Sequence, residues 1–284
     1  MAVKVAMINM KGGVGKSTLT VNLAWHIAMK TVNPFRVLVV DLDPQFNASQ
    51  YMLGMQKYEK LVRDESPTIW DVFEQYTTVP GKQSNGAIDP NSVIQNVLSE
   101  RADGSKIDLI PSRLELASSI KNPINKELIL STFVGDIESD YDLVLFDCPP
   151  TESLLTTAAY HCCDHIVIPV KPEYLSSIGL PLLARSLSEF KRQYKKSSLS
   201  IAGIVFNHTT EYSPEENIAK REVKSVAAAN GWPIYKNGVP YSRSFPKGAR
   251  EGQPIFRTTY ARTTPARKFE NFAIEFIKSV GLTW

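Results

Sequence analysis

The sequence contains little cysteine and no long apolar run. Its three cysteines are odd in number, and two of them, Cys162 and Cys163, are adjacent. This arrangement excludes a disulfide framework. No stretch approaches the roughly 20 apolar residues that a membrane-spanning helix requires. The N-terminal residues run into a glycine-rich loop without the apolar core of a signal peptide. We therefore expect a cytoplasmic protein with reduced thiols.

The chain also lacks a strong net charge. The formal value is +3 over 284 residues, so the chain as a whole does not indicate a polyanionic partner. The charge is unevenly distributed, however, because residues 1–200 carry 20 Lys+Arg and 22 Asp+Glu, whereas residues 201–284 carry 12 and 7. Such asymmetry indicates a surface for nucleic acid or acidic membrane. A scattered basic surface explains the composition equally well.

Apolar residues, by contrast, make up 43% of the chain, which is ample for a core. Short apolar runs are typical of strands buried on both faces of a sheet: residues 3–8, 36–43, 107–112, 141–147, 165–170 and 200–207. Segments of helical length lie between and after them: residues 17–30, 126–138, 152–161, 179–193, 214–230 and 265–280. The alternation predicts an α/β fold with a mostly parallel, twisted sheet flanked by helices on both faces.

Residues 56–106 are more polar and less periodic. Two segments there, TIWDVF and DPNSVIQNVL, are predicted as short helices on either side of a loop rich in Gly, Ser and Asn at residues 80–87. We interpret this span as an irregular excursion within one domain that covers residues 1–284, since no linker or repeat interrupts the chain. Residues 201–284 form the basic C-terminal part of that domain.

The stretch INMKGGVGKST, residues 8–18, lies between a predicted strand and a predicted helix. It matches the second half of the P-loop pattern G-x-x-x-x-G-K-[ST], although Met10 stands where the first glycine belongs. Its glycines let backbone N–H groups turn inward around phosphate oxygens, and the following helix adds its N-terminal partial charge. Lys16 is expected at the β- and γ-phosphates of ATP, and the Ser17 hydroxyl at Mg²⁺. The residues of this loop expected to bind the nucleotide are Gly12, Gly13, Val14, Gly15, Lys16, Ser17 and Thr18.

Carboxylates end two of the predicted strands. VVDLDPQ supplies Asp41 and Asp43, and LVLFDCPP supplies Asp147. Since ligand groups in open α/β sheets gather at the carboxyl ends of strands, all three can face the loop. Asp147 follows an apolar run, as a Walker B carboxylate does, and is expected to hold Mg²⁺ through water. Asp41 is expected to support Mg²⁺ or a loop lysine, or alternatively to cap a turn.

With Lys11, the segment KGGVGKST resembles the deviant Walker A motif of the ParA/MinD ATPases. The resemblance implies that Lys11 reaches across a nucleotide-sandwich dimer to the partner's ATP phosphates. A cation supplied by a second subunit can offset charge on the transferred phosphoryl group, as an arginine finger does. DLDPQ resembles the family's second Walker motif, which implies that Asp43 orients or activates the attacking water. Lys11, Lys16 and Asp43 are therefore the expected catalytic residues.

The resemblance continues through residues 141–183, which follow the ParA-type order of Walker B motif, helix of small residues, strand and the dipeptide GL. GIVFN places Asn207 where the family contacts the adenine edge, and an amide side chain has the donor and acceptor for this. VPYSRSFPKGAREGQPIF resembles the segment in which a proline-containing loop covers the base. Pro240 is the candidate there, and an ordinary turn proline is the alternative.

The family resemblance implies a switch in which ATP joins two subunits and hydrolysis releases them. In one interpretation the dimer binds DNA without sequence preference, and dimerisation doubles any basic patch. The candidate DNA-binding residues are Arg221, Lys224, Arg243, Lys247, Arg250, Arg262 and Arg267. Further basic residues are Lys220, Lys268 and a cluster of Lys191, Arg192, Lys195 and Lys196.

Two other interpretations remain open. A MinD-like protein would bind a membrane through its C-terminal helix, but Glu270 and Glu275 interrupt the basic character that such a helix usually has. Packing of this helix against the domain is favoured, and a membrane partner is not expected. A free-standing metabolic P-loop enzyme would need a second substrate pocket, for which the sequence offers no obvious motif.

The favoured interpretation is therefore a short ParA/Soj-type ATPase. The resemblance implies slow hydrolysis of ATP with Mg²⁺, a homodimer that encloses ATP, and stimulation by a ParB-like or other adaptor. It also implies a cytoplasmic protein that associates with the nucleoid when ATP is bound. The cargo is expected to be a plasmid, a chromosome origin or a protein organelle, the last as in the McdA-like subgroup.

Overall fold

A computed structural model describes residues 1–76, 86–121, 126–173, 176–195, 198–210, 213–259 and 261–282. For residues 176–178 it describes the backbone alone. Most of the loop expected at residues 80–87 and the basic residue Lys196 lie outside the described residues.

Within the described residues, eight strands form one sheet in the order β3-β4-β2-β5-β1-β6-β7-β8. The strands are β1 (Val3–Met7), β2 (Arg36–Asp41), β3 (Gln95–Leu98), β4 (Lys106–Ile110), β5 (Leu143–Asp147), β6 (His165–Val170), β7 (Ser200–Thr209) and β8 (Val239–Pro240). The pairing is parallel throughout except for β3, which runs antiparallel to β4 at one edge. The mostly parallel sheet is thus confirmed.

The helices that the structure describes are α1 (Lys16–Lys30), α2 (Asn47–Leu53), α3 (Met55–Arg63), α4 (Ile69–Glu74), α5 (Pro90–Val93), α6 (Leu116–Lys121), α7 (Ile129–Ile137), α8 (Leu154–Cys162), α9 (Ser176–Tyr194), α10 (Pro214–Asn230), α11 (Ser244–Glu251) and α12 (Thr263–Ser279). A short 3-10 helix, Glu138–Asp140, follows α7.

The strands present alternate side chains to two separate apolar cores. In β5, Val144 and Phe146 pack on one face with apolar residues of α4, α7, α8, α9 and α10. Leu143 and Leu145 pack on the other face with residues of α1, α2 and α12. Because strand side chains point alternately to the two faces, a strand that is apolar at every position needs a helix layer on each side. The prediction of helices on both faces is confirmed.

The prediction of one short helix over DPNSVIQNVL is wrong in its second half. Asp89 caps α5 by accepting a hydrogen bond from the Asn91 N–H, but α5 ends at Val93. The chain then becomes the edge strand β3, where Asn96 Nδ2 donates to Asp108 Oδ1 of β4 at 3.0 Å. Cross-strand pairing decides the structure here, because a four-residue helix has little stability of its own. The span expected as an irregular excursion therefore also contains a strand of the sheet.

The C-terminal helix packs against the rest of the fold, as expected. Phe269, Phe272, Phe276 and Ile277 of α12 are fully buried in the core shared with α1. Glu275 lies on another side of the helix and accepts hydrogen bonds from the backbone N–H groups of residues 236 and 237. Among the described residues, no helix combines the length and the apolar character needed to cross a membrane.

Candidate nucleotide and magnesium site

The glycine-rich loop joins β1 to α1 and has the backbone conformation that its glycines permit. Gly13 and Gly15 have φ angles of 71° and 89°, in the left-handed region that favours glycine. Gly15 is also the N-cap of α1. A Cβ at Gly15 would lie 2.2 Å from Asn207 Nδ2, so the loop and the end of β7 are in close contact. The loop can therefore direct its N–H groups and the start of α1 towards an anion.

Lys16 is held within the loop and is only 6% exposed. Its Nζ donates to the carbonyl oxygens of Asn9 at 3.2 Å and Lys11 at 3.4 Å. Burial lowers the pKa of the Lys16 ammonium, and the nearby carboxylates of Asp147 and Asp43 partly offset this effect. The structure thus brings together one cation and two of the expected carboxylates.

Asp147 is the last residue of β5 and is fully buried. Neither of its carboxylate oxygens has a hydrogen-bond partner among the described residues. Burial raises the pKa of the Asp147 carboxyl well above its usual range and the charge of Asp41 adds to this, whereas Ser17 and Lys16 act in the opposite direction. The Ser17 side chain favours the charged form as a hydrogen-bond donor would, but it makes no hydrogen bond of normal length to Asp147, so a bound ligand would satisfy this buried carboxylate. Mg²⁺ prefers oxygen ligands, so Asp147 beside the Ser17 hydroxyl fits Mg²⁺ well.

Asp41 is the register partner of Asp147 on β2, but its carboxylate is satisfied. Its Oδ1 accepts the Asp43 N–H at 3.1 Å, and its Oδ2 accepts the N–H and the hydroxyl of Ser49 at 2.8 and 2.7 Å. Burial nevertheless raises the pKa of Asp41 to about 7. The contacts that the structure shows for Asp41 are therefore to the turn that carries Asp43 and to α2, not to a loop lysine.

Asp43 lies in the turn between β2 and α2 and faces an open cleft. Its Oδ1 accepts the N–H of Gln45 at 3.0 Å. Among the described residues, no hydrogen bond to Oδ2 is found, so this oxygen is available to a molecule in the cleft.

The cleft has a volume of about 520 Å³, which suits a nucleotide-sized ligand. The expected residues that line it are Gly12, Gly13, Gly15, Lys16, Ser17, Thr18 and Asp43. The residues that line it without having been predicted as nucleotide contacts are Gln45, Asn47, Gln50, Tyr51, Met55, Pro150, His208, Ala249 and Arg250. One of these residues, Arg250, was predicted as a DNA contact and not as a nucleotide contact. Helices α2 and α11 pack against each other, and this contact brings Asn47, Gln50, Tyr51, Ala249 and Arg250 to the cleft.

Four expected nucleotide contacts lie outside the lining of this cleft, namely Lys11, Val14, Asn207 and Pro240. Val14 is buried, and its carbonyl accepts a hydrogen bond from Asn207 Nδ2 at 2.8 Å. Asn207 Oδ1 accepts the N–H of His208, so the amide expected at the adenine edge braces the loop in this structure. Pro240 lies in β8, where it pairs with Thr209 of β7.

Lys11 contacts residues of its own chain. Its backbone N–H donates to Asn9 Oδ1 at 2.9 Å, and its Nζ forms an ion pair with Glu173 Oε2 at 3.3 Å. Glu173 also pairs with Lys171, and the two ammonium groups lower the pKa of the Glu173 carboxyl, Lys171 having the larger effect. Because Lys11 and Glu173 are both partly exposed, this pair contributes little to stability.

The candidate DNA-binding residues do not form one surface. Arg221 and Lys224 are exposed on α10, which packs on the face of the sheet opposite to α12. The others belong to α11, α12 or the residues just before them, on the other face: Arg243, Lys247, Arg250, Arg262 and Arg267. Lys247 is occupied, since it pairs with Glu251 at 3.7 Å and donates to the Thr259 carbonyl.

Comparison with known sequences matches residues 2–201 to a family described as an AAA domain. An uncharacterized protein of Mycobacterium tuberculosis is 30% identical over 282 residues, which cover 98% of this chain and 79% of that protein. The chromosome-partitioning ATPase Soj of Treponema pallidum is 28% identical over 275 residues, which cover 96% of both chains.

Comparison with solved structures gives a similar fold. Cyanothece McdA in complex with ATP superimposes with a TM-score of 0.76 at 17% identity, over 100% of this chain and 98% of McdA. At this level of identity the likeness shows a shared fold. The predicted α/β fold of the P-loop NTPase type is therefore confirmed.

Proposed function

Since this chain belongs to the AAA domain family and, within it, to the ParA-type ATPases, we propose that it is a partition ATPase that works as a dimer. It hydrolyses ATP in order to partition or position a cargo. In the proposed cycle, ATP bound in the cleft joins two copies of the chain, the dimer binds DNA without sequence preference, and hydrolysis separates the copies.

The observation that carries this proposal is the unpartnered Asp147 carboxylate beside Lys16 and Ser17. A buried carboxylate costs stability when no donor or cation accompanies it. Its buried position beside a phosphate-type loop is accounted for if a divalent cation completes the site. This favours a nucleotide with Mg²⁺ over a loop that merely turns the chain.

Within the site, each residue of this chain has a proposed role. Lys16 and the N–H groups of the loop bind the β- and γ-phosphates. Ser17 Oγ and Asp147 would hold Mg²⁺, directly or through water, and the metal supplies charge neutralisation at the phosphates. Asp43 Oδ2 accepts a hydrogen bond from the attacking water and orients it. Asp41 positions Asp43 through the Asp43 N–H.

Lys11 is proposed to act on the partner's nucleotide. In the single chain its ammonium is paired with Glu173. An exposed ion pair of this kind is worth about 0–1 kcal/mol, so exchange of the carboxylate for the more highly charged phosphates of a partner's ATP costs little. This exchange would link dimerisation to bound ATP.

The DNA-binding part of the proposal is supported by the excess of positive charge after residue 200 and by the exposed positions of most of the seven candidates. The alternative, MinD-like membrane binding through the C-terminal helix, is disfavoured because the apolar face of α12 is already buried. A ParB-like or other adaptor that stimulates slow hydrolysis belongs to the same proposal, and the cargo stays open.

The function is tested with Asp43→Ala and Lys11→Ala, and Lys171→Ala is the matched control because it removes the other lysine paired with Glu173. We expect Asp43→Ala to retain ATP and accumulate as a dimer, as measured by light scattering after gel filtration. We expect Lys11→Ala to hydrolyse ATP and dimerise far less than the control does. A normal hydrolysis rate in Asp43→Ala would refute the water-positioning role.

DNA binding is tested separately with a fluorescent random duplex and the ATP-bound protein over a range of salt concentrations. We expect affinity to fall steeply with salt, because phosphate contacts release counterions. Absence of binding at low salt, or binding that does not respond to salt, contradicts this part of the proposal and leaves the ATPase part intact.

A further inference from the structure

A second cavity lies between the C-terminal end of α1 and the N-terminal end of α12, away from the nucleotide cleft. Its volume is about 340 Å³. It is lined by His26, Lys30, Phe256, Thr263, Thr264, Ala266, Arg267 and Glu270, none of which lines the first cleft. Both cavities contact α1, but at opposite ends of that helix.

The N-terminal end of α12 offers positive potential to this cavity. The helix has 17 residues, its N-cap Arg262 makes no side-chain capping hydrogen bond, and its first turn contains no acidic residue. Thr263 and Thr264 begin the helix and line the cavity. Thr263 and Thr264 have backbone N–H groups at this end, whereas Pro265 has none. The first N–H groups of a helix lack partners within the helix and carry a partial positive charge, so this end attracts anions.

Two side-chain cations flank the same cavity. Lys30 is the last residue of α1, and its Nζ lies 5.1 Å from the centroid of the Phe256 ring. Arg267 is exposed on α12, one turn after Thr263. Glu270 is the acidic residue of the lining, so the side chains alone give a net positive charge of one, to which the helix end adds.

His26 provides an observation that is independent of the helix end. Its side chain is only 4% exposed, yet it lines the cavity and has no hydrogen bond among the described residues. The ring packs edge-on against Phe256 and Phe269, with centroids 6.2 and 6.3 Å away. The ring nitrogens are not among the fully buried atoms without a partner, so a ligand in the cavity can reach them and accept a hydrogen bond from the ring N–H.

We propose that this cavity binds a phosphate group through the start of α12, Lys30, Arg267 and an N–H of His26. An anion suits each of these groups, since all of them donate hydrogen bonds or carry positive charge. Burial and the charge of Lys30 hold the pKa of His26 at about 4, and a bound phosphate opposes the second effect. The phosphate comes either from free inorganic phosphate or from a nucleic-acid backbone. Only the second source rests on the DNA binding proposed above.

The test follows the ring ¹⁵N resonances of His26 in the full-length chain, assigned by their loss in His26→Asn. Inorganic phosphate is titrated into the protein, and a random duplex is titrated into the ATP-bound protein. We expect a saturable shift of the His26 signals and a rise in its pKa. Lys30→Glu and Arg267→Glu, which leave the core intact, should each weaken phosphate binding by about tenfold or more, because each change removes one charged contact and adds a carboxylate that repels the anion. Lys60→Glu, an exposed lysine of α3, should not.

The outcomes separate the two sources and the two proposals. Shifts with both titrants support a site used by the DNA backbone, and a shift with inorganic phosphate alone supports a free-phosphate site. A shift with DNA alone supports the inference if Lys30→Glu abolishes it while the duplex still binds, and it overturns the inference if the shift persists in Lys30→Glu. A chain that binds DNA with no change at His26, and without sensitivity to Lys30→Glu, overturns the inference while the proposed function stands. If inorganic phosphate shifts the His26 signals in a chain that does not bind DNA, the inference stands and the DNA-binding part of the proposed function fails.

Discussion

Two neighbouring aspartates, at the carboxyl ends of β2 and β5, differ in the hydrogen bonds that their carboxylates accept. Asp41 and Asp147 are register partners on adjacent strands, and both are fully buried. Asp41 accepts three hydrogen bonds from Asp43 and Ser49, whereas neither oxygen of Asp147 has a partner among the described residues. A buried carboxylate that accepts hydrogen bonds from its own chain has a structural role, whereas one that accepts none indicates a ligand-binding role. The difference separates a structural aspartate from a functional one at the same edge of the sheet.

The largest effect is expected at the unsatisfied aspartate. Asp147→Asn should lower the Mg²⁺-dependent ATP hydrolysis rate by about 100-fold or more, since it removes the negative charge that would hold Mg²⁺, and the metal would neutralise the reacting phosphates. The same change should leave the ligand-free protein as stable as before or more stable, because it replaces a buried group whose ionised form lacks donors. Hydrolysis is measured by phosphate release, and stability by urea unfolding without nucleotide.

Asp136→Asn, an exposed aspartate on α7, is the control for Asp147→Asn and should change neither quantity. If Asp147→Asn strongly destabilises the ligand-free protein, Asp147 has a structural role like that of Asp41, and the comparison between the two strand ends fails.

The satisfied aspartate, Asp41, should contribute to the pH dependence of stability. Burial raises the pKa of Asp41 from 3.8 to about 7, so the folded state binds this proton more tightly than the unfolded state does. The resulting stabilisation is complete below about pH 4 and is lost as the pH rises through about 7, amounting to at most about 4 kcal/mol. The free energy of unfolding, measured in urea without Mg²⁺ or nucleotide, should fall over this range.

Asp41→Asn should make the free energy of unfolding fall less as the pH rises. It should also lower that free energy by about 1–3 kcal/mol at low pH, because an amide N–H₂ cannot accept hydrogen bonds from the N–H and hydroxyl of Ser49. The pH dependence that remains belongs to other groups, Asp147 among them, whose raised pKa acts in the same direction. An unchanged profile in Asp41→Asn would show that Asp41 does not titrate in this range.

The sequence predicted those parts of the site that local order determines. The strand, the glycine loop and the helix with Lys16 are contiguous, and Asp147 follows an apolar run directly. The contacts of Asn207 and Arg250 could not be predicted, since they depend on packing between distant segments. Asn207 bonds to Val14, which is 193 positions earlier, and Arg250 reaches the cleft because α11 packs on α2.

The edge strand β3 was missed for a related reason. Its residues form a strand because β4 offers an unpaired edge, and the preceding helix signal at Asp89 and Pro90 is real but extends only to Val93. Ser49 gave no signal at all in the sequence, because its role depends on a carboxylate that the turn after β2 places beside it.

The smallest effect is expected at this serine. Ser49 Oγ donates to Asp41 and accepts the N–H of Ser112 at 2.8 Å, so Ser49→Ala removes both contacts and should cost about 1–2 kcal/mol. The hydrogen bond from Ser49 lowers the pKa of Asp41, which means that it favours the charged form. The cost of Ser49→Ala in urea unfolding should therefore be larger at pH 8 than at pH 5, whereas Ser131→Ala on α7 should cost the same at both. Equal costs at the two pH values would show that Ser49 does not stabilise ionised Asp41, and the contrast with Asp147 would then rest on the backbone donors alone.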